Sequence, residues 1–288
     1  MSDPKPHVVI LGAGPAGLGA AYRLRQTDQA QVTVVERSPH VGGNAASFEI
    51  GGQRVDLGSH RLHPSSDAAI LRDIRSMLGD DLLQRPRHGR IRLRGKWIHL
   101  PPQPVDLMLR LDGAFAFGAL RDMLIGGPNQ PAGDESFATV LREQLGPTIC
   151  EQFYLPYAEK IWGLDPHRLS PVQARRRVSA GTFGKLLRKV FGKMPGVTPV
   201  GFDYYFYPRR GFGQISDAYA QAALDGGAQL VLGEPVVRLQ TPSTTDERWT
   251  VVSQKDHGQR SFHADMVWST IPISTLARLI LPAPPPEV

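Results

Sequence analysis

Cysteine is nearly absent. Cys150 stands alone among 288 residues, which excludes an internal disulfide framework and a cysteine-rich zinc site. A reducing compartment, by default the cytoplasm, is the expected setting. Long apolar runs are missing too: no stretch of 18 or more uncharged apolar residues occurs, so no membrane-spanning helix is predicted. The apolar start, Val8 to Leu11, meets Gly12 at once and is too short for a secretory leader core. Acids are missing from two long stretches. One holds Arg85, Arg87, Arg90, Arg92, Arg94 and Lys96; the other, Pro166 to Phe202, holds Arg168, Arg175, Arg176, Arg177, Lys185, Arg188, Lys189 and Lys193. With Lys+Arg 33 against Asp+Glu 27, such clusters attract anions: phosphates, carboxylates or acidic lipid. They lack the interleaved aromatics on which single-stranded bases stack, so nucleic acid is not the expected partner. Neither a paired carboxylate nor a Ser–His–Asp spacing singles out a catalytic residue, and no metal site is expected.

What is present belongs to a folded α/β chain. Hydrophobic residues make up 41% and charged residues 21%, the range of a globular protein with an apolar core. His7-Val8-Val9-Ile10-Leu11 reads as a buried strand and runs directly into Gly12-Ala13-Gly14-Pro15-Ala16-Gly17. Leu18, Ala21 and Leu24 continue at helical spacing, and Val32 to Val35 forms a second strand ending at Glu36. This is a dinucleotide-binding unit with each part in register. Gly12 makes the tight turn, Gly14 admits a pyrophosphate close to the backbone, and Gly17 lets helix pack on strand. The helix N-terminus faces the phosphate charge. Glu36 stands where a carboxylate accepts ribose hydroxyls and disfavours an additional 2′-phosphate, so NADP is not expected.

From about Leu82 the character changes. Arg90 to Leu100 reads as a hairpin around Gly95-Lys96; Val105 to Ile125, Ser136 to Ile149 and Gln152 to Ile161 read as helices. Strand signals return at Gln229–Leu232, Val236–Leu239, Trp249–Ser253 and Phe262–Ser269. The predicted fold class is α/β: a Rossmann-like unit in two segments, 1–82 and 204–288, with an inserted, mostly helical α+β unit at 83–203. Within the insertion, Phe183, Leu186, Leu187, Val190 and Phe191 form one apolar stripe and Lys185, Arg188, Lys189 and Lys193 point away from it. Thr182 to Lys193 is thus a basic amphipathic helix, to be packed on the insertion's core or laid on an acidic membrane surface.

Glu36-Arg37 through Val41-Gly42-Gly43-Asn44, followed by Val55-Asp56-Leu57-Gly58-Ser59-His60-Arg61, resembles the amine oxidase and protoporphyrinogen oxidase superfamily of FAD proteins. The resemblance implies FAD as cofactor. It implies that Glu36 and Arg37 meet the adenosine ribose and that Gly42, Gly43 and Asn44 pass close to the flavin side. Gly58, Ser59 and His60 would lie against the isoalloxazine, with His60 and His63 as flavin-proximal candidates. Gly233 to Leu239 is similar to the family's adenine-contact strand, with Val236 bonding adenine through its backbone, and Ala264 to Pro272 resembles the return strand into the nucleotide-binding sheet. Tyr157 to Pro166 is similar to a motif of UDP-galactopyranose mutases, which implies Trp162 near the substrate and an arginine, among Arg175, Arg176 and Arg177, for a diphosphate. Tyr207 to Gly213, with Arg209, looks like the oxidoreductase branch. Family members end on a Gly-containing strand–helix motif that this sequence lacks, so the resemblance reads as a fragment or as a C-terminally shortened member. The expected function is an FAD-dependent oxidoreductase taking hydride from a small anionic or lipophilic substrate, with peripheral membrane contact. A redox-neutral sugar mutase is the alternative, and an inactive FAD-fold scaffold the further one.

Overall fold

A computed structural model describes residues 4–93, 95–100, 113–125, 135–177, 204–244, 247–255, 258–283 and 285. The chain divides into two compact units, Met1–Pro86 with Tyr204–Val288 and Arg87–Asp203.

The first unit begins β1 (His7–Leu11), α1 (Pro15–Gln26), β2 (Gln31–Val35), β3 (Ser47–Ile50), β4 (Gln53–Asp56), α2 (Ala68–Leu78) and β5 (Leu82–Pro86). Val8 to Leu11 are buried on both faces, which is why the run is apolar without alternation. Each such side chain contributes about 1.5–3 kcal/mol by leaving water. The even-numbered face of β1, Val8 and Ile10, packs with Val32 and Val34 of β2 against α1 and a later helix, through Leu18, Ala21, Ala220 and Ala223. The odd-numbered face, Val9 and Leu11, packs with Val35 against Leu239, Val251 and Ala264 of a second sheet.

The second unit contains the hairpin β6 (Gly89–Leu93) and β7 (Lys96–Leu100), then α3 (Gly113–Ile125), α4 (Phe137–Leu145), α5 (Leu155–Trp162) and α6 (Pro171–Arg177). Ser136 and Thr139 start α4 by a reciprocal capping box. Its apolar stripe, with Phe137, Leu141 and Leu145, packs on Cys150, Leu155, Ala158 and Ala174. A π-helical turn, Cys150–Tyr154, leads into α5. The first half of the predicted Val105–Ile125 helical stretch and all of Thr182–Lys193 lie outside the described residues.

The chain then returns to the first unit with β8 (Tyr204–Pro208), α7 (Gly213–Asp225), β9 (Gln229–Val231), β10 (Val236–Gln240), β11 (Trp249–Lys255), β12 (Gly258–Ala264), β13 (Met266–Ser269), α8 (Ile273–Leu279) and β14 (Ile280–Leu281). The parallel sheet has the order β13-β1-β2-β9, and the second sheet the order β12-β11-β10-β14. β5 pairs antiparallel with β8 from Leu82↔Pro208 to Pro86↔Tyr204, so the first unit runs on through Pro86, past the Leu82 boundary expected from sequence. The single strand expected over Phe262–Ser269 is two strands. The break falls at Asp265, whose carboxylate accepts the His7 N–H at 2.7 Å and pairs with the Arg248 guanidinium at 2.7 and 2.9 Å. That carboxylate turns the chain from the antiparallel sheet into the parallel one.

Candidate functional site

At the C-terminal end of β1 the chain bends through Gly12, whose N–H donates to the Val35 carbonyl at 2.9 Å. α1 then starts at Pro15 with Gly14 as its N-cap, no capping side chain and no acid in the first turn. The first-turn N–H groups of a helix have no intrahelical acceptor, so this end offers donors and a positive dipole end to an anion. A side chain on Gly14 would meet no atom within 4 Å, so the space above the turn is open; a Cβ on Gly17 would stand 2.0 Å from the Gly12 carbonyl oxygen. Only glycine at 17 allows α1 to lie this close to the turn.

Glu36, at the end of β2, closes the turn from below. Its carboxylate accepts the Ala13 N–H and the Ser38 N–H, each at 2.8 Å. Each oxygen has a second lone pair, so capacity remains for further donors. Arg37 is exposed beside it. The loop after Ser38 returns to the turn: the Gly42 N–H donates to the Ala13 carbonyl at 2.8 Å, and a Cβ on Gly43 would lie 3.3 Å from Gly14 Cα. Gly42, at φ +109, adopts a backbone that side-chain-bearing residues avoid.

The segments beyond follow in order. Gly58 and Ser59 are exposed. The half-buried His60 ring lies with Nε2 2.9 Å from the Asn44 carbonyl oxygen and stacks on Phe212 at 5.2 Å. On the other flank, the Gly233 N–H donates to the Ser38 carbonyl and the Glu234 N–H to the Glu36 carbonyl, at 2.8 and 3.0 Å. This brings Val236, at the start of β10, beside Glu36–Ser38. Four segments distant in sequence, Gly12–Gly17, Glu36–Asn44, Gly58–His60 and Gly233–Val236, therefore converge at the C-terminal ends of β1 and β2.

The other sequence-marked residues stand elsewhere. Trp162 ends α5 in the second unit, and the side chain of Arg177, the last residue of α6, is outside the described residues. Arg209 is in the first unit, where its Nε donates to the Asp81 carboxylate at 3.1 Å and its guanidinium to the Asp80 carbonyl at 3.3 Å.

Sequence reasoning missed the supports. Thr270 Oγ1 donates to the Leu11 carbonyl at 2.8 Å and so braces the end of β1. Asp56 accepts the Ser47 hydroxyl at 2.6 Å, the Tyr207 hydroxyl at 2.6 Å and the Phe212 N–H at 2.9 Å, while Ser47 Oγ accepts the Gly213 N–H at 2.8 Å. Burial pushes the Asp56 carboxyl up, but these three hydrogen bonds outweigh it and hold the group below the usual carboxylate range. Burial and the same bond push the Tyr207 phenol up to about 12. An acid directly before a glycine turn was the available signal. Among the described residues no cluster of three or more His, Cys, Asp or Glu is arranged to hold a metal ion.

Against known proteins, the family described as flavin containing amine oxidoreductase matches residues 15–288. The chain is 29% identical to the phytoene dehydrogenase of Streptomyces griseus over 89% of its own length and 53% of that protein. It is 28% identical to the coproporphyrinogen III oxidase of Mycobacterium tuberculosis (strain ATCC 25618 / H37Rv), over 96% of this chain and 61% of the other. Among solved structures it is similar to a reduced UDP-galactopyranose mutase, with TM-score 0.77, 23% identity, 96% of this chain and 57% of that one covered. A wild-type putrescine oxidase bound to putrescine gives 0.64, 22%, 98% and 62%. These structural likenesses carry the fold. The chain spans between 53% and 62% of the length of these four proteins.

Proposed function

The chain belongs to the flavin-containing amine oxidoreductase family, and from that premise we propose that it is an FAD-dependent oxidoreductase taking hydride from a small organic substrate. FAD, when bound, supplies the hydride acceptor. The Gly12–Gly17 turn and the uncapped α1 N-terminus receive the pyrophosphate, with Ala13, Pro15 and Ala16 completing the turn. The lone pairs left on Glu36 accept ribose hydroxyls, Arg37 lies over the same sugar, and the Val236 backbone meets adenine. Gly42, Gly43 and Asn44 with Gly58, Ser59 and His60 form the flavin side. Residues 1–86 and 204–288 form the FAD-binding part and 87–203 the substrate part, in which Trp162 contacts substrate. The substrate is anionic or lipophilic. The protein makes peripheral contact with an acidic membrane in the cytoplasm; among the described residues no helix is long and apolar enough to cross one.

The observation that carries this reading is the turn fastened to Glu36: an uncapped helix N-terminus, open space above Gly14, and a carboxylate in reach of a sugar. The test is flavin-fluorescence titration of the purified chain and of Glu36→Ala. Loss of hydrogen bonds to a charged acceptor, about 1.5–3 kcal/mol each, weakens FAD by roughly 10–100-fold. Glu36→Gln, which keeps one acceptor oxygen, falls between. Equal affinity in all three proteins refutes the assignment. A second reading, redox-neutral sugar mutation, is favoured by the exposed aromatic end of α5, where Tyr157 and Trp162 are 47% and 42% exposed. Turnover of a UDP-sugar without net electron transfer would establish it.

A further inference from the structure

Resting on the flavin-dependent reading, we propose that Arg61 and Arg85, flanking the ring of Tyr205, bind the carboxylate of a substrate with a planar or unsaturated body. Leu62 pairs with Phe206, the Leu62 N–H donating to the Phe206 carbonyl at 3.1 Å and the Phe206 N–H to the Leu62 carbonyl at 2.8 Å. β8 therefore has a neighbour on each side, the Arg61–His63 segment and β5. Leu62 and Phe206 turn to the buried core with Leu71 and Ile74. By strand alternation the opposite face carries Arg61 and His63, then Tyr205 and Tyr207, then Leu83 and Arg85.

On that face the Arg61 guanidinium carbon lies 5.2 Å from the Tyr205 ring centre, and Arg85 is the cross-strand partner of Tyr205. Tyr205 and Tyr207 meet edge to face at 6.5 Å, and Tyr207 is pinned through its hydroxyl to Asp56. The tyrosines and Leu83 are half-buried, and both arginines are exposed. Some of the other arginines in the described residues find acids: Arg23 with Asp73, Arg54 with Asp217, Arg142 with Glu151, Arg248 with Asp265. Arg61 and Arg85 have no carboxylate within ion-pair distance among the described residues.

Two cations with no counter-ion among the described residues, over a fixed aromatic platform, have the chemistry of a carboxylate site: bidentate donors for the anion, ring faces for an apolar plane. Its position suits a substrate. Arg61 follows His60 directly, and His60 is bonded to Asn44 of the loop that returns to Gly14. An anion held here leaves the rest of its molecule directed along His60 toward the glycine cradle.

The experiment titrates the purified chain with 2-naphthoate and with the neutral 2-naphthamide, following ligand fluorescence. The expected result is naphthoate binding that weakens about tenfold or more in Arg61→Gln and in Arg85→Gln, with naphthamide binding unchanged. Lysine at either position restores part of the loss, and Tyr205→Leu weakens acid and amide alike. Arg278→Gln, an exposed charge on α8, leaves both unchanged. Naphthoate affinity within twofold of wild type in both Gln variants overturns the proposal. So does an equal loss in Arg278→Gln, or no naphthoate binding by the wild-type chain. FAD uptake, read from the visible spectrum of the same samples, separates the two claims. Arginine-dependent naphthoate binding without FAD uptake refutes the flavin reading and leaves the anion site; FAD uptake with arginine-independent binding refutes the site alone.

Discussion

Replacing Asp56 with alanine removes the acceptor for three donors at once. The Ser47 and Tyr207 hydroxyls sit 2.6 Å from the carboxylate and the Phe212 N–H 2.9 Å. Hydrogen bonds to a charged acceptor are worth about 1.5–3 kcal/mol each. Asp56 is only half-buried, so water replaces part of what is lost, and the three bonds share one group and do not add fully. A destabilisation of about 3–5 kcal/mol follows, or a fall in melting temperature of roughly 6–20 °C at about 2–4 °C per kcal/mol. Asp56→Asn has a different outcome. Its one amide oxygen keeps Ser47 and Phe212, and the Tyr207 hydroxyl can turn to accept from the new NH2, so about 1–2 kcal/mol is lost. Thermal unfolding followed by circular dichroism measures both. The sign with pH is fixed by the depressed carboxyl: its stabilisation is present above the unfolded value near pH 4 and lost as pH falls through the lower folded value. The gap between wild type and Asp56→Asn therefore closes in acid. An Asp56→Ala protein melting within 2 °C of wild type, or no lower than Asp56→Asn, refutes the network as described.

Three further outcomes follow from single contacts. Gly17→Ala places a Cβ 2.0 Å from the Gly12 carbonyl; α1 shifts, stability drops by about 2–4 kcal/mol, and FAD affinity falls in the same fluorescence titration. Asp67 Oδ1 accepts the Ala69 and Ile70 N–H groups at 2.8 and 3.2 Å as the N-cap of α2, so Asp67→Ala costs about 1 kcal/mol by urea denaturation, and an unshifted midpoint contradicts the cap. Burial pushes the Cys150 thiol up to about 12, so at pH 8 about one molecule in 10^4 carries thiolate. A thiol reagent should label it only at the rate of local unfolding, and fast labelling of the native protein would show the site to be open.

The parts legible in sequence are those whose causes are local. Val8 to Leu11 is continuous because β1 is buried on both faces, and Gly17 answers to a contact five residues away, with the Gly12 carbonyl. The Arg90–Leu100 hairpin forms where the alternation predicted it. What escaped depends on distant partners. Ser47, Tyr207 and Phe212 reach Asp56 across 9, 151 and 156 residues, and Arg209 meets Asp81 across 128, so a basic residue marked for substrate is held by an acid no local window includes. The break at Asp265 was hidden because apolar patterning continues through it; the cause, the His7 N–H, lies 258 residues away.

The parallel sheet also sets a timetable for synthesis. β1 and β2 are made early relative to their partner: the strand that covers the other edge of β1 begins at Met266, with the whole second unit translated in between. At about 5–20 residues per second, β1 spends on the order of tens of seconds on the ribosome with Val8 to Leu11 unpaired along that edge. The intervening unit has its own core around Leu141 and Cys150 and can close before its host. The strand is thus exposed along that edge until Met266–Ser269 emerge, and that interval is when a chaperone bound to β1 and β2 would do most to prevent aggregation.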